Sequence, residues 1–319
     1  MTRPPTATAF APATVANVAC GFDVLGLALE APGDTVTAEK VEAPGIVLGS
    51  ISGDSGRLPR EADQNTATVA ALKLFERLGL APVGLRLDLR KGLPLASGMG
   101  SSAASAVAAV VAVDRLLELG CPREGLLLAA LEGERVVSGS GHADNAAACL
   151  YGGFVLVRAI EPVDVVQLPI PVGLSVAVLR PHLEMSTRDS RMLLGDRLRL
   201  TDAVTQWANL GALVAGLHRN DLDLVSRALV DVVAEPLRSQ RVPGFAEVKA
   251  AALDAGALGA SLSGSGPSIF ALCRDRASAE KVGLEMKGAL AAVSGLDSDL
   301  HVSPVSPRGA RELTVEAGA

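Results

Sequence analysis

The chain has 319 residues, 49% of them apolar, and a net charge of −6. That is material for two packed domains or one large one, and an acidic balance with scattered basic residues excludes an electrostatic footprint for nucleic acid. The four cysteines, Cys20, Cys121, Cys149 and Cys273, form no closely spaced pair, which argues against zinc or a disulfide framework and fits a reducing cytoplasm. No basic head followed by an apolar core opens the chain, so no signal peptide is expected. The apolar run Ala106 to Val113 is shorter than the ~18 residues a bilayer span needs.

In chain order, Ala7 to Leu29 reads as two short strands with a turn near Cys20-Gly21, and Asp34 to Val41 as another strand. Gly45 to Arg60 is rich in glycine and serine and reads as loops. Asn65 to Leu78 has apolar residues at helical spacing with Gly79 as a stop. Gly84 to Arg90 alternates as a strand. A helix runs from about Ser101 to Leu119, ended by Gly120 and Pro122, and Pro122 to Val137 gives the next. Gly153 to Val157 is a strand, and the proline-containing stretch Glu161 to Pro171 marks a domain change. Beyond it, Gly173 to Leu179 is strand-like, and helices follow over Ser186 to Leu198, Asp202 to His218, Leu222 to Val233 and Phe245 to Asp254. Gly259 to Leu272 reads as two strands around a glycine turn, and Ala277 to Ala292 as the last helix. The domains are therefore set at 1–163 and 164–310, with a loose tail at 311–319.

The stretch PLASGMGSSAAS, Pro94 to Ser105, sets glycines and hydroxyls directly before a long apolar helix. The first-turn N–H groups of a helix lack intrahelical partners, and the helix dipole places partial positive charge there. Gly98 and Gly100 let the backbone close around an anion, and Ser101 and Ser102 can cap the helix or ligate a cation. No Gly-Lys-[Ser/Thr] follows, which disfavours a P-loop NTPase, and no dinucleotide fingerprint matches. An ordinary capped helix meets the same pattern equally well.

Two further stretches matter: PATVANVACGFDVLGLAL (Pro12 to Leu29) and LSGSGPSIFAL (Leu262 to Leu272). With the central loop they resemble, in order and across nearly the whole chain, the three motifs of the GHMP kinases, with Met99 where leucine is usual. EGERVVSGSGHADNAA (Glu132 to Ala147), STRDSR (Ser186 to Arg191) and EPLRSQRVPGF (Glu235 to Phe245) are most similar to the branch that phosphorylates homoserine. The resemblance implies an α+β two-domain fold: an N-terminal α/β domain related to a ribosomal-protein domain and a C-terminal ferredoxin-like domain, with the site between them. It implies ATP and Mg²⁺ as cofactors, L-homoserine as the acceptor, a place in threonine biosynthesis and a possible homodimer.

The same resemblance assigns residues. Pro94, Leu95, Ala96, Ser97, Gly98, Met99, Gly100, Ser101 and Ser102 would bind the nucleotide, its phosphates on the Gly98–Ser102 backbone, with Asn65 on the adenine side and Ser102 and Glu134 on the metal. Arg191 and Arg238 would take the amino-acid carboxylate, with Thr187, His142 and Gly264 nearby and Asn17 and Asp23 at the hydroxyl and ammonium end. Arginine forks suit carboxylates. Each residue has a plainer reading: Asn65 and Ser102 as helix caps, Asp23 as a turn former, Glu134, Arg191 and Arg238 as surface charges. Mevalonate-type relatives carry an aspartate where this chain has Asn145, and an amide cannot accept a proton at neutral pH. Transfer without a strong base is therefore expected, with Asp23 and Asp144 as the candidates otherwise. The rival readings are another GHMP enzyme, such as a mevalonate or isoprenoid kinase, and a non-catalytic relative.

Overall fold

The computed structural model describes residues 5–139 and 141–313; Ser140 of the Glu132–Ala147 motif and the last six residues lie outside it. Strand β1 (Thr6–Ala16) alternates in burial over its outer half and is buried throughout its inner half, as expected of a strand covered on one face and then on both. It pairs antiparallel with β2 (Leu25–Lys40) from Thr6↔Glu39 to Ala16↔Gly26, with an irregularity between Pro12 and Thr14. The two expected strands Leu25–Leu29 and Asp34–Val41 are thus one long strand. The Gly45–Arg60 stretch, expected as loops, contains β3 (Ile46–Ser52). After α1 (Thr66–Leu78) comes β4 (Leu85–Arg90), which pairs with β3 in parallel and with the far half of β2 in antiparallel fashion. That pairing satisfies the backbone of a stretch whose composition alone favours loops.

Helices α2 (Ser101–Leu117), α3 (Arg123–Ser138) and α4 (Ala143–Tyr151) follow. The chain then makes β5 (Phe154–Ile160), paired with the near half of β2, and β6 (Val163–Leu168), paired with β5. The first sheet therefore runs to Leu168, beyond the expected boundary at 163. Helix α2 is mostly alanine, valine and serine and is buried on every side as far as Asp114, since it lies between β1 and β2 and the helices α1, α3 and α4. Small side chains let those neighbours approach closely, which fixes where the helix begins.

The second unit starts with β7 (Ser175–Pro181) and continues through α5 (Thr187–Met192), α6 (Leu200–Arg219), α7 (Leu222–Ala228), α8 (Glu235–Arg238) and α9 (Phe245–Asp254). It ends with the hairpin β8 (Gly259–Leu262) and β9 (Ile269–Cys273), helix α10 (Arg276–Ser294) and β10 (Ser298–Pro304). The antiparallel order β10-β7-β9-β8 is the ferredoxin-like arrangement. Its strands alternate: Ala177, Leu179, Ile269 and Ala271 face α9 and α10, while Val176, Val178, Phe270 and Leu272 join the core of the first unit. The two halves thus share apolar packing, and the cleft between them has anchored walls. A last strand, β11 (Arg311–Glu312), returns to pair with β1, so the expected loose tail begins with an edge strand of the first sheet.

Candidate active site

A cleft of about 770 Å³ opens between the two units. Its floor is the loop before α2. Gly98 and Gly100 have φ of 77° and 68°, a region open to glycine at little cost. A Cβ on Gly98 would lie 2.6 Å from the Ser263 carbonyl oxygen, so the loop is pressed against the β8–β9 turn. Ser263 Oγ donates to the Gly98 carbonyl at 2.6 Å, and Ser268 N donates to Ser97 O at 3.3 Å. Gly100 itself caps α2, and no side chain caps that end. The first-turn amides of a rigid, buried helix therefore face the cleft beside Ser97, Ser101 and Ser102.

Beneath the loop lies a buried ion pair between Lys91 and Asp34. Lys91 Nζ also donates to Ser101 O at 2.8 Å and Ser105 Oγ at 2.9 Å. Asp34 Oδ1 accepts the N–H groups of Gly92 and Leu93 at 3.0 and 3.1 Å. This cluster ties the end of β4 to the first turn of α2. Asn145 accepts from Thr14 Oγ1 at 2.7 Å through Oδ1.

The side expected to face the nucleotide is partly occupied by structural duties. Asn65 is buried and caps α1, accepting from Ala67 N at 3.0 Å while donating to Pro59 O at 3.1 Å; it nevertheless lines the cleft, as do Leu95 and Ala96. Pro94 and Met99 do not line it. The Met99 side chain is wholly buried and its carbonyl accepts from Thr14 N. Glu134 is buried on the cleft wall, 3.4 Å from His142 Nδ1. Burial opposes charge on His142, but its hydrogen bond to Glu134 and the nearby Asp144 and Asp23 carboxylates prevail and raise its pKa.

At the opposite end, Asn17 Nδ2 donates to Gly264 O at 3.1 Å and its Oδ1 accepts from Asp23 N at 3.1 Å. Asp23 pairs with Arg191 at 2.5 Å. Arg238 is 4% exposed, donates to Gly264 O at 3.1 Å and Ser190 O at 3.4 Å, and has no carboxylate partner among the described residues. Both guanidiniums stack on Phe22, 5.4 and 5.2 Å from its ring centre. Thr187 Oγ1 lies 3.3 Å from Ser265 Oγ. Asp144 is buried beside Asp23, and burial first, then that neighbour's charge, pushes its pKa up to about 6.

Nearly every expected residue thus meets in one cleft. The sequence reading omitted Thr14, Phe22, Lys91, Ser263 and Ser265. Thr14 and Phe22 lie inside the first quoted motif and Ser263 and Ser265 inside the third, so position was a usable signal. Lys91 offered none, because its partner Asp34 is 57 residues away in sequence.

Residues 65–153 match the family described as GHMP kinases N terminal domain, and 213–292 match GHMP kinases C terminal. Homoserine kinase of Chloroherpeton thalassium is 47% identical over 315 residues, spanning 96% of this chain and 99% of that one. Homoserine kinase of Chlorobaculum tepidum is 48% identical over 320 residues, spanning 97% and 98%. The crystal structure of homoserine kinase from Cytophaga hutchinsonii superposes with a TM-score of 0.93 at 48% identity, covering 98% and 99% of the two chains. L. major mevalonate kinase, at 16% identity and a TM-score of 0.71, shares the fold.

Proposed function

The chain belongs to the GHMP kinases, and from that premise we propose that it transfers the γ-phosphoryl group of ATP to the side-chain hydroxyl of L-homoserine, giving O-phospho-L-homoserine for threonine synthesis. The observation that carries the acceptor is Arg238: a buried guanidinium with no carboxylate partner among the described residues, next to an aspartate–arginine pair. A zwitterion satisfies this arrangement. Its carboxylate takes the arginine forks, and its ammonium takes Asp23, so one internal ion pair is exchanged for two with substrate.

The triphosphate rests on the Gly98–Ser102 backbone, where the α2 amides stabilise charge on the transferring group. Mg²⁺ fits a donor set of Ser102 and Glu134, a hydroxyl and a buried carboxylate on the same cleft. Among the described residues no group of three acidic, histidine or cysteine side chains forms a protein cage, which suits an ion held by one or two side chains and by phosphates. When bound, the ion neutralises phosphate charge.

Asn145 holds Thr14 and cannot take a proton. Transfer proceeds without a strong base, the hydroxyl proton passing to phosphate or water as the new bond forms. A second reading makes Asp144 the base, since it lines the cleft and its pKa of about 6 suits proton transfer near neutrality.

A coupled assay of ADP release with homoserine, with mevalonate and with no acceptor tests the function. Homoserine-dependent release is expected; release that is equal in all three, or dependent on mevalonate, overturns it. We further propose a cytoplasmic location, since the four cysteines are free, as in a reducing compartment. A homodimer is supported by exposed Leu200, Val204 and Trp207 along one face of α6. Light scattering of Trp207→Glu should then report a monomer; an unchanged dimer rejects this face.

A further inference from the structure

Three separated segments build the amino-acid end of the cleft: the Asn17–Asp23 loop, α5 with Arg191, and α8 with Arg238. The loop is a costly conformation. Asn17, Val18 and Ala19 take φ of 68°, 44° and 59°, a left-handed run that is unfavourable for non-glycine residues and worst for a β-branched one. Such strain persists only where the surroundings over-determine it.

One determinant is Gln206 on α6, which is buried. Its Nε2 donates to the Cys20 carbonyl at 3.0 Å and to Asp231 Oδ1 at 3.0 Å, while its Oε1 accepts Val232 N at 3.0 Å. Asp231 in turn gathers the amides of Val233, Ala234 and Glu235 at 2.8, 3.0 and 2.9 Å. Those amides form the turn that launches α8, the helix ending in Arg238. Neither side chain lines the cleft, so neither can touch substrate.

We propose that Gln206 and Asp231 are positioning residues for the amino-acid pocket, a buried amide–carboxylate pair that fixes the Phe22–Asp23 loop and the Arg238 helix at one separation. Gln206 bonds both to the loop, at the Cys20 carbonyl, and to Asp231 and Val232 in the turn before α8. The Phe22 ring lies 5.4 and 5.2 Å from the two guanidiniums, so a shift of the loop moves the stacking surface of both arginines together. Arg238 presents five donors, of which the bonds to Ser190 and Gly264 use two. The rest can grip a carboxylate as a fork only while α8 keeps its place. The pair thereby sets carboxylate recognition, and among the described residues neither of its side chains bonds to the phosphate loop on the cleft floor.

The inference rests on homoserine being the acceptor. Gln206→Met, which keeps volume, and Asp231→Asn, which is nearly isosteric, are each compared with the full wild-type chain. Homoserine KM should rise about tenfold or more, since misplacement of binding groups by about 1 Å costs up to ~100-fold, with KM for ATP and kcat within about twofold. Preference for homoserine over 3-aminopropan-1-ol, which lacks the carboxylate, should shrink in both variants, and the double variant should be no worse than the more damaging single. Loosening of the whole fold would raise both KM values and penalise both acceptors alike, and that result overturns the inference. So does a wild-type homoserine KM in either folded variant. If Gln206→Met does not fold, Asp231→Asn carries the test alone. Wild-type enzyme indifferent to homoserine rejects the acceptor assignment instead, which keeps the two failures apart.

Discussion

Replacing Asp144 by asparagine should stabilise the protein and remove part of its pH dependence. In the folded chain Asp144 is 3% exposed and lies beside Asp23, and its pKa rises from 3.8 to about 6. Between those two values the native state binds more protons than the unfolded one, so stability falls as pH rises through that window. Once ionised, the carboxylate costs the fold about 3 kcal/mol, at ~1.4 kcal/mol per pH unit of displacement. Asparagine keeps an oxygen to accept from Asn145 N, which donates to Asp144 Oδ1 at 2.9 Å, but carries no charge to desolvate. Thermal melts should show Asp144→Asn about 5 °C or more above wild type at pH 8, using ~2 °C per kcal/mol for a large domain, with the gap closing near pH 4. Equal melting temperatures at pH 8, or a gap that does not close in acid, refute this reasoning. The same variant tests the proton question. A kcat within about tenfold of wild type fits transfer without a base, whereas a loss of about three decades identifies Asp144 as the base.

Gly98→Ala should raise KM for ATP and lower stability by about 1–3 kcal/mol, because a side chain at φ 77° meets the Ser263 and Gly266 carbonyls; nucleotide titration and chemical denaturation measure the two effects. Lys91→Met should destabilise by about 3–5 kcal/mol by stranding Asp34 in the interior. Adding Asp34→Asn should recover part of that loss, and a fully additive double variant would show that the pair does not act as a unit. Arg57 and Glu184 form an exposed bidentate ion pair across the cleft mouth at 2.5 and 2.8 Å. Arg57→Ala should leave the melting temperature nearly unchanged, and the difference should shrink further in high salt, which thermal melts at two ionic strengths measure.

Local chemistry made much of this protein legible. Asn65 before and Gly79 after a run of helical periodicity delimit α1 as read, because caps and stops act within a few residues. Strict alternation revealed β4, and the glycine turn in Gly259–Leu272 revealed the β8–β9 hairpin. The glycine–serine loop allowed an anion site as readily as an ordinary helix cap, because open helix amides are a local property. It did not show that Gly100 rather than a serine closes that helix end, which follows from how Thr14 and Asn145 crowd the position.

Other features depended on segments distant in the chain. Pro32-Gly33 breaks the apolar pattern, so β2 reads as two pieces until pairing with β1 along its length makes it one. Strand β3 exists because β4 supplies the backbone partners its own composition does not advertise. The quoted motifs named Arg238, Asp23 and Asp144, but not the burial of the first or the raised proton affinity of the last. Both come from exclusion of water by elements far apart in sequence, and burial is a property only the assembled chain possesses.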